Sequence, residues 1–194
     1  MLGFLKFSLV ALAFVFASNA AAETPRTQLE GTMERVMDVA RNFRSQSDFE
    51  NNRERLKQII LPRFDFTEMA SRSLGSRWSG LNGRQKQEFV AAFVHFAEAS
   101  YMNQIGSYRG EKMTYGREQV DRNLAEVDTQ VIGRGQAAPI TYKLHLVGKE
   151  WKVYDVVIDR ISLVSNFRSQ FGRILKTGSM DELMRRLREK GTQS

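Results

Sequence analysis

Apolar residues recur along this chain with two periods, and the switches between them mark out its elements. Over Thr27–Gln46, the residues Leu29, Met33, Val36, Met37, Ala40 and Phe43 fall on one stripe, which predicts an amphipathic helix of about five turns. A shorter helix is expected through Arg53–Leu61, with Leu56, Ile59 and Ile60 apolar and Pro62 as its stop. Asp65 followed by Glu68 has the form of a capping box, and Gly75 is placed to end the helix it opens. Trp78 and Leu81 then lie in a connection. Asn82 and Gln85 repeat the capping pattern ahead of the longest helix, about Gly83–Gly106, whose apolar face is Phe89, Phe93, Phe96, Tyr101 and Ile105.

After Gly106 the period becomes two. Met113–Arg117, Leu124–Ile132, Ala138–Val147 and Glu150–Ile158 read as four strands, with hairpin-like connections at Gly133-Arg134-Gly135-Gln136 and Gly148-Lys149. The third strand sets Ile140, Tyr142, Leu144 and Leu146 against Thr141, Lys143 and His145, so one face is buried and the other wetter. The fourth sets Trp151, Val153, Asp155 and Val157 against Lys152, Tyr154, Val156 and Ile158. A helical stripe returns with Leu163, Phe167, Phe171, Ile174 and Leu175 and stops near Gly178. Ser179 and Glu182 open a last helix that buries Leu183, Met184 and Leu187, with a frayed tail after Lys190. The order predicts an α+β domain: N- and C-terminal helices packed on one face of a curved, four-stranded antiparallel sheet.

The first residues do not belong to that domain. Met1–Ala22 has a single cation, Lys6, an apolar run Phe7–Ala17, and small residues ending Ala20-Ala21-Ala22, the layout of a secretory signal peptide cleaved after Ala22. A run of about 11 apolar residues is too short for the roughly 20 of a membrane-spanning helix. The expected address is the bacterial periplasm. Residues 23–194 then form one domain, with a helical part over about 25–106, the meander over about 112–158 and the closing helices over about 162–190. The chain has no cysteine, which excludes disulfides, thiolate metal sites and cysteine nucleophiles. Without Lys6, Lys and Arg total 28 against 22 Asp and Glu. In an exported protein such a basic balance fits membrane surfaces and lipid head groups before nucleic acid, and equally a merely solvated basic surface.

Candidate chemistry is sparse. His95 and His145 have no metal-ligand spacing with acids or with each other, and no phosphate-binding glycine motif is present. Ser162, near Asp155 and Asp159, lacks a nucleophile-elbow motif and reads as the N-cap of the helix that follows it. Arg160 and Arg168 bracket that helix start and read either as contacts for an anionic head group or as a solvated pair.

The order of the motifs is familiar. It runs Phe64-Asp65-Phe66-x-x-Met69-Ala70, then Leu74-Gly75-x-x-Trp78, then Gln85-x-x-Glu88-Phe89-x-x-x-Phe93. It continues with Ile140-x-Tyr142, Trp151-Lys152-Val153-x-Asp155-Val156 and Ile161-Ser162-Leu163-Val164-x-Asn166-Phe167-Arg168-x-Gln170-Phe171. Over about residues 28–190 this resembles the MlaC, or toluene-tolerance, family of periplasmic phospholipid-binding proteins of the Mla lipid-transport pathway. The chain departs from many relatives at Arg160, where they carry glycine, and at Phe167, where they carry tyrosine.

The resemblance implies a cone-like fold similar to the nuclear-transport-factor group, enclosing an apolar cavity for the acyl chains of a diacyl phospholipid while the head group stays outside. It implies no enzymatic activity, no cofactor and no metal. It implies exchange of lipid between an outer-membrane lipoprotein–porin complex and an inner-membrane ABC transporter with a periplasmic substrate-binding subunit, a traffic that maintains outer-membrane lipid asymmetry. Hopanoid-associated members share the general pattern, so a carrier of another lipid stands as an alternative. An enzyme of the same cone architecture, with His95 or an Asp as base, and an adaptor whose cavity is filled by its own side chains are the other two. Under the lipid reading, the residues expected to line the cavity are Phe66, Met69, Trp78, Phe93, Phe96, Val131, Tyr142, Leu144, Val153, Leu163, Val164 and Phe167.

Overall fold

The structure, a computed structural model, describes residues 23–106, 111–133 and 136–191. The leader expected at Met1–Ala22, the Arg134-Gly135 turn and the last residues of the tail lie outside them. Six α-helices are described: α1 Pro25–Ala40, α2 Gln46–Ile60, α3 Phe66–Leu74, α4 Gly83–Gly106, α5 Leu163–Thr177 and α6 Met180–Gly191. Five strands, β1 Lys112–Asp121, β2 Leu124–Gly133, β3 Gln136–Val147, β4 Glu150–Ile158 and β5 Ile161–Ser162, make one antiparallel sheet in sequence order.

The sheet has five strands where the periodicity predicts four. The fifth is a two-residue return, pairing Val157 with Ser162 and Ile158 with Ile161. Its cause is the turn before it: Asp159 and Arg160 have φ of 48° and 68°. Two consecutive left-handed residues make the tight turn that folds a strand straight back on its neighbour. The alternation expected in β4 also breaks. The β3–β4 register shifts between Lys143 and Leu144, leaving Tyr154 as the extra residue of a bulge. Val156, opposite Tyr142, therefore joins Val153, opposite Leu144, on the inner face, while Asp155 sits opposite Lys143 on the other.

The helix starts follow their caps. Asn82 Oδ1 accepts the Gln85 N–H at 3.0 Å and Gln85 Oε1 accepts the Asn82 N–H at 2.9 Å, so both arms of the box hold α4. Asp65 Oδ1 accepts the Glu68 N–H at 2.9 Å, but the Asp65 N–H goes to the Val153 carbonyl at 2.8 Å, which ties the start of α3 to β4. The first helix ends at Ala40 rather than continuing to Gln46, and α2 begins well before Arg53. A box that the polar composition hides explains both: Ser45 Oγ accepts the Asp48 N–H while Asp48 Oδ2 accepts the Ser45 N–H at 2.9 Å. The Arg44 N–H, donating to Asp48 Oδ2 at 2.8 Å, and after it the Ser45 hydroxyl and N–H hold the Asp48 carboxyl below its ordinary range.

Apolar residues gather in three clusters. One joins α3, α4, α5 and α6 around Phe89, Phe93, Phe96, Phe167, Phe171 and Leu183. A second covers the inner face of the sheet, with Val127, Tyr142, Leu144 and Val153 packed under Leu29 of α1. A third joins α1, α2 and the end of α4 through Val36, Phe43, Phe49, Leu56 and Met102. A polar clasp fixes α1 across the sheet. Arg63 donates to Gln28 Oε1 at 2.9 Å, to Thr32 Oγ1 at 3.0 Å and to the Trp151 carbonyl at 2.7 Å. Gln28 Oε1 also accepts the Trp151 N–H at 2.9 Å.

Candidate functional site

The corner between β4 and α5 joins the helical layer to the sheet. Asp155, 6 % exposed, holds it from below. Its Oδ2 accepts the Ser162 hydroxyl at 2.7 Å and its Oδ1 accepts the Val164 N–H at 3.1 Å. Ser162 Oγ in turn accepts the Ser165 N–H at 3.0 Å, so this serine is a helix cap, as its position predicts. The carboxylate at a helix start satisfies one backbone donor, the Val164 N–H, and sits favourably in the helix dipole.

The corner delivers Leu163 to a seam. Leu163 and Phe64 are each half-buried, and each packs against both the helical cluster and the sheet cluster. The half-buried apolar residues Met33, Tyr115, Ile140 and Ile158 pack against the sheet cluster alone. The two apolar clusters thus meet at Leu163 and Phe64, which are less covered than either interior.

The expected wall residues divide between the two surfaces. Met69, Phe93, Phe96, Val164 and Phe167 are buried in the helical cluster, with Phe66 and Trp78 half-buried against it. Tyr142, Leu144 and Val153 are buried in the sheet cluster. Val131, half-buried, lies on the same face of β2 as Val127. Many of these side chains touch one another: the Phe167 ring lies 5.3 Å from Phe93 and 5.6 Å from Phe96, in edge-to-face packing. Leu163 alone of the twelve packs on both clusters.

The two arginines separate. Arg160 is exposed at the left-handed turn, next to Ile161 at 61 % exposure. Arg168 lies over the end of α3, so close that a Cβ built on Gly75 would be 2.8 Å from its Nη2. Neither histidine faces the sheet's interior. His95 is a largely exposed side chain on α4, 4.0 Å from Glu98. His145 is on the outer face, 3.0 Å from Asp65 Oδ2 and edge-on to Tyr154. Among the described residues there is no group of three or more His, Asp or Glu placed to hold a metal, and no helix long and apolar enough to cross a membrane.

The sequence pattern does not single out Tyr115, yet its hydroxyl is the buried side-chain polar atom that lacks a hydrogen-bond partner among the described residues. Burial chiefly, with Glu30 and Glu34 adding to it, pushes this phenol up to about 12. Tyr142 is also pushed up, by burial first and then by Tyr115.

A curved antiparallel sheet with an apolar inner face, crossed by an N-terminal helix and joined at one corner to a helical layer, defines the α+β cone class. The model of the MlaC protein family matches residues 30–189, and the chain belongs to that family. It is 25 % identical to the intermembrane phospholipid transport system binding protein MlaC of Haemophilus influenzae, over 95 % of this chain and 90 % of that protein. It is 26 % identical to the toluene tolerance protein ttg2D of Pseudomonas putida, over 89 % of this chain and 83 % of that one. The fold matches, with a TM-score of 0.79 and 21 % identity, a phospholipid-binding protein of Ralstonia solanacearum solved in complex with a phospholipid, covering 88 % of this chain and 98 % of the other.

Proposed function

We propose that this chain is a periplasmic phospholipid carrier of the Mla system, holding acyl chains between its helical and sheet clusters. The observation that carries the reading is the seam at Leu163 and Phe64, where two apolar surfaces meet through residues that belong to both. Family membership and the phospholipid named for the Haemophilus and Ralstonia relatives support it. Each methylene withdrawn from water contributes about 0.8 kcal/mol, so a diacyl lipid with some thirty of them faces on the order of 20 kcal/mol in an aqueous compartment. Parting the two clusters exposes apolar surface that the tails then cover, which keeps loading reversible. The candidate wall is apolar and both histidines lie elsewhere, which favours carriage over catalysis.

The lipid passes, in this reading, between an outer-membrane lipoprotein–porin complex and the substrate-binding subunit of an inner-membrane ABC transporter, and so maintains outer-membrane asymmetry. The basic surface assists docking at anionic membranes or acidic partners. The test is phospholipid transfer between donor and acceptor vesicles. The chain accelerates transfer, and the acceleration falls as salt screens exposed charge. No acceleration at any salt contradicts carriage; acceleration with a flat salt profile contradicts electrostatic docking alone.

A further inference from the structure

A phenol hydroxyl buried without a partner is unfavourable by a margin that folding ordinarily removes. Tyr115 keeps one on the inner margin of the sheet, beside the same apolar cluster as Leu163, Ile140 and Ile158. The backbone reinforces its placement. The β1–β2 register runs regularly to Tyr115, opposite Thr129, and then shifts before Glu118, so Tyr115 is the last residue before a bulge. Bulges re-aim side chains and concentrate next to sites.

Glu30 and Glu34 of α1 are near enough to raise the phenol, yet neither accepts from it, so the hydroxyl is a donor without an acceptor. Arg26 of α1 lies over the ring, 5.7 Å from its centroid, and Arg26 is itself engaged by Glu30 at 2.7 Å. The neighbouring Thr129 hydroxyl donates to the Ile140 carbonyl at 3.0 Å and makes no hydrogen bond with the Tyr115 hydroxyl. A hydrocarbon tail offers nothing to a hydroxyl; the acceptors on an acyl lipid nearest its tails are the ester carbonyls.

We propose that Tyr115 is a specificity-determining residue of the lipid site: its hydroxyl donates a hydrogen bond to an ester carbonyl at the top of an acyl chain. This rests on the carrier reading. The hydrogen bond forms only in the loaded state, so it registers the glycerol end of the lipid at the margin of the sheet. It selects ester-linked lipids over ether-linked ones, which match them in tail and head but lack the carbonyl.

The test compares a diacyl phosphatidylglycerol with its dialkyl ether analogue, by competition for delipidated protein, in the wild type and Tyr115→Phe. One buried hydrogen bond predicts a wild-type preference for the ester of about five- to tenfold, reduced to about one in the variant. Lipid-free Tyr115→Phe should be as stable as the wild type or more so, because the orphan donor is gone. Equal binding of ester and ether by the wild type, or a preference that survives in the variant, overturns the assignment. Binding of neither lipid by either protein overturns the carrier reading instead.

Discussion

Ser162 Oγ donates to Asp155 Oδ2 across 2.7 Å while accepting the Ser165 N–H, so one serine joins β4 to the start of α5. The pair is structural, and its energetics follow. Ser162→Ala removes a cap and should cost about 1 kcal/mol. Asp155→Ala strips a buried acceptor from two donors and should cost about 2–3 kcal/mol. In urea denaturation the double variant should fall short of the sum of the single variants, because the two residues share a bond.

Neighbouring residues on α5 should respond differently to the same charge. Leu163 is half-buried at the seam, so Leu163→Asp should fold and yet retain roughly tenfold less phospholipid, since a carboxylate would face hydrocarbon. Val164 is 7 % exposed inside the helical cluster, so Val164→Asp buries an unpaired charge and should lose about 3 kcal/mol or more of stability. Lipid extraction and thermal melts on the two proteins check this. Undiminished lipid in Leu163→Asp would remove Leu163 from the wall.

Phe167 is packed among the rings of Phe93, Phe96, Tyr101 and Phe171, at centroid distances from 5.3 to 6.1 Å. Phe167→Ala should cost about 3–5 kcal/mol and lower Tm by roughly 10 °C. An unchanged Tm would mean that the helical cluster is already loose around this ring.

Arg160 carries a left-handed φ of 68° in a position where glycine is free of the Cβ conflict. Arg160→Gly should therefore stabilise the protein by about 1 kcal/mol. If Arg160 contacts a lipid head group, the same variant also weakens retention of anionic lipid; if it does not, retention is unchanged.

Alkaline pH should destabilise the fold in a defined window. Tyr115 ionises near 12 in the folded protein against an ordinary value near 10, and burial also raises Tyr101 and Tyr142. The unfolded chain releases these protons first, so the contribution of the neutral phenols is complete below about pH 10 and declines as pH rises toward 12. Phenolate absorbance during the titration should lag behind that of the denatured chain, and Tyr115→Phe should reduce the lag.

Much of the scaffold is legible in local sequence, because caps and periodicity act locally. The span of α4 follows from Asn82 and Gln85, and the start of α5 from Ser162. What escapes is set by pairing between distant segments. Nothing near Tyr154 signals a bulge, since the register slip arises opposite Lys143 and Leu144. Asp159-Arg160 lacks the glycine that ordinarily announces a tight turn, so β5 is hidden. The Arg63–Gln28–Trp151 clasp joins three remote stretches, and the isolation of the Tyr115 hydroxyl depends on every group around it. The candidate wall was legible as a set of apolar residues, but not its division into two clusters that meet at Leu163.

The most direct measurement is native mass spectrometry of the protein, expressed in a bacterium and purified without added lipid. The account predicts a bound mass in the range of a diacyl phospholipid, released on activation and identified as such after organic extraction. A lipid-free mass alone, with no phospholipid in the extract, would contradict it.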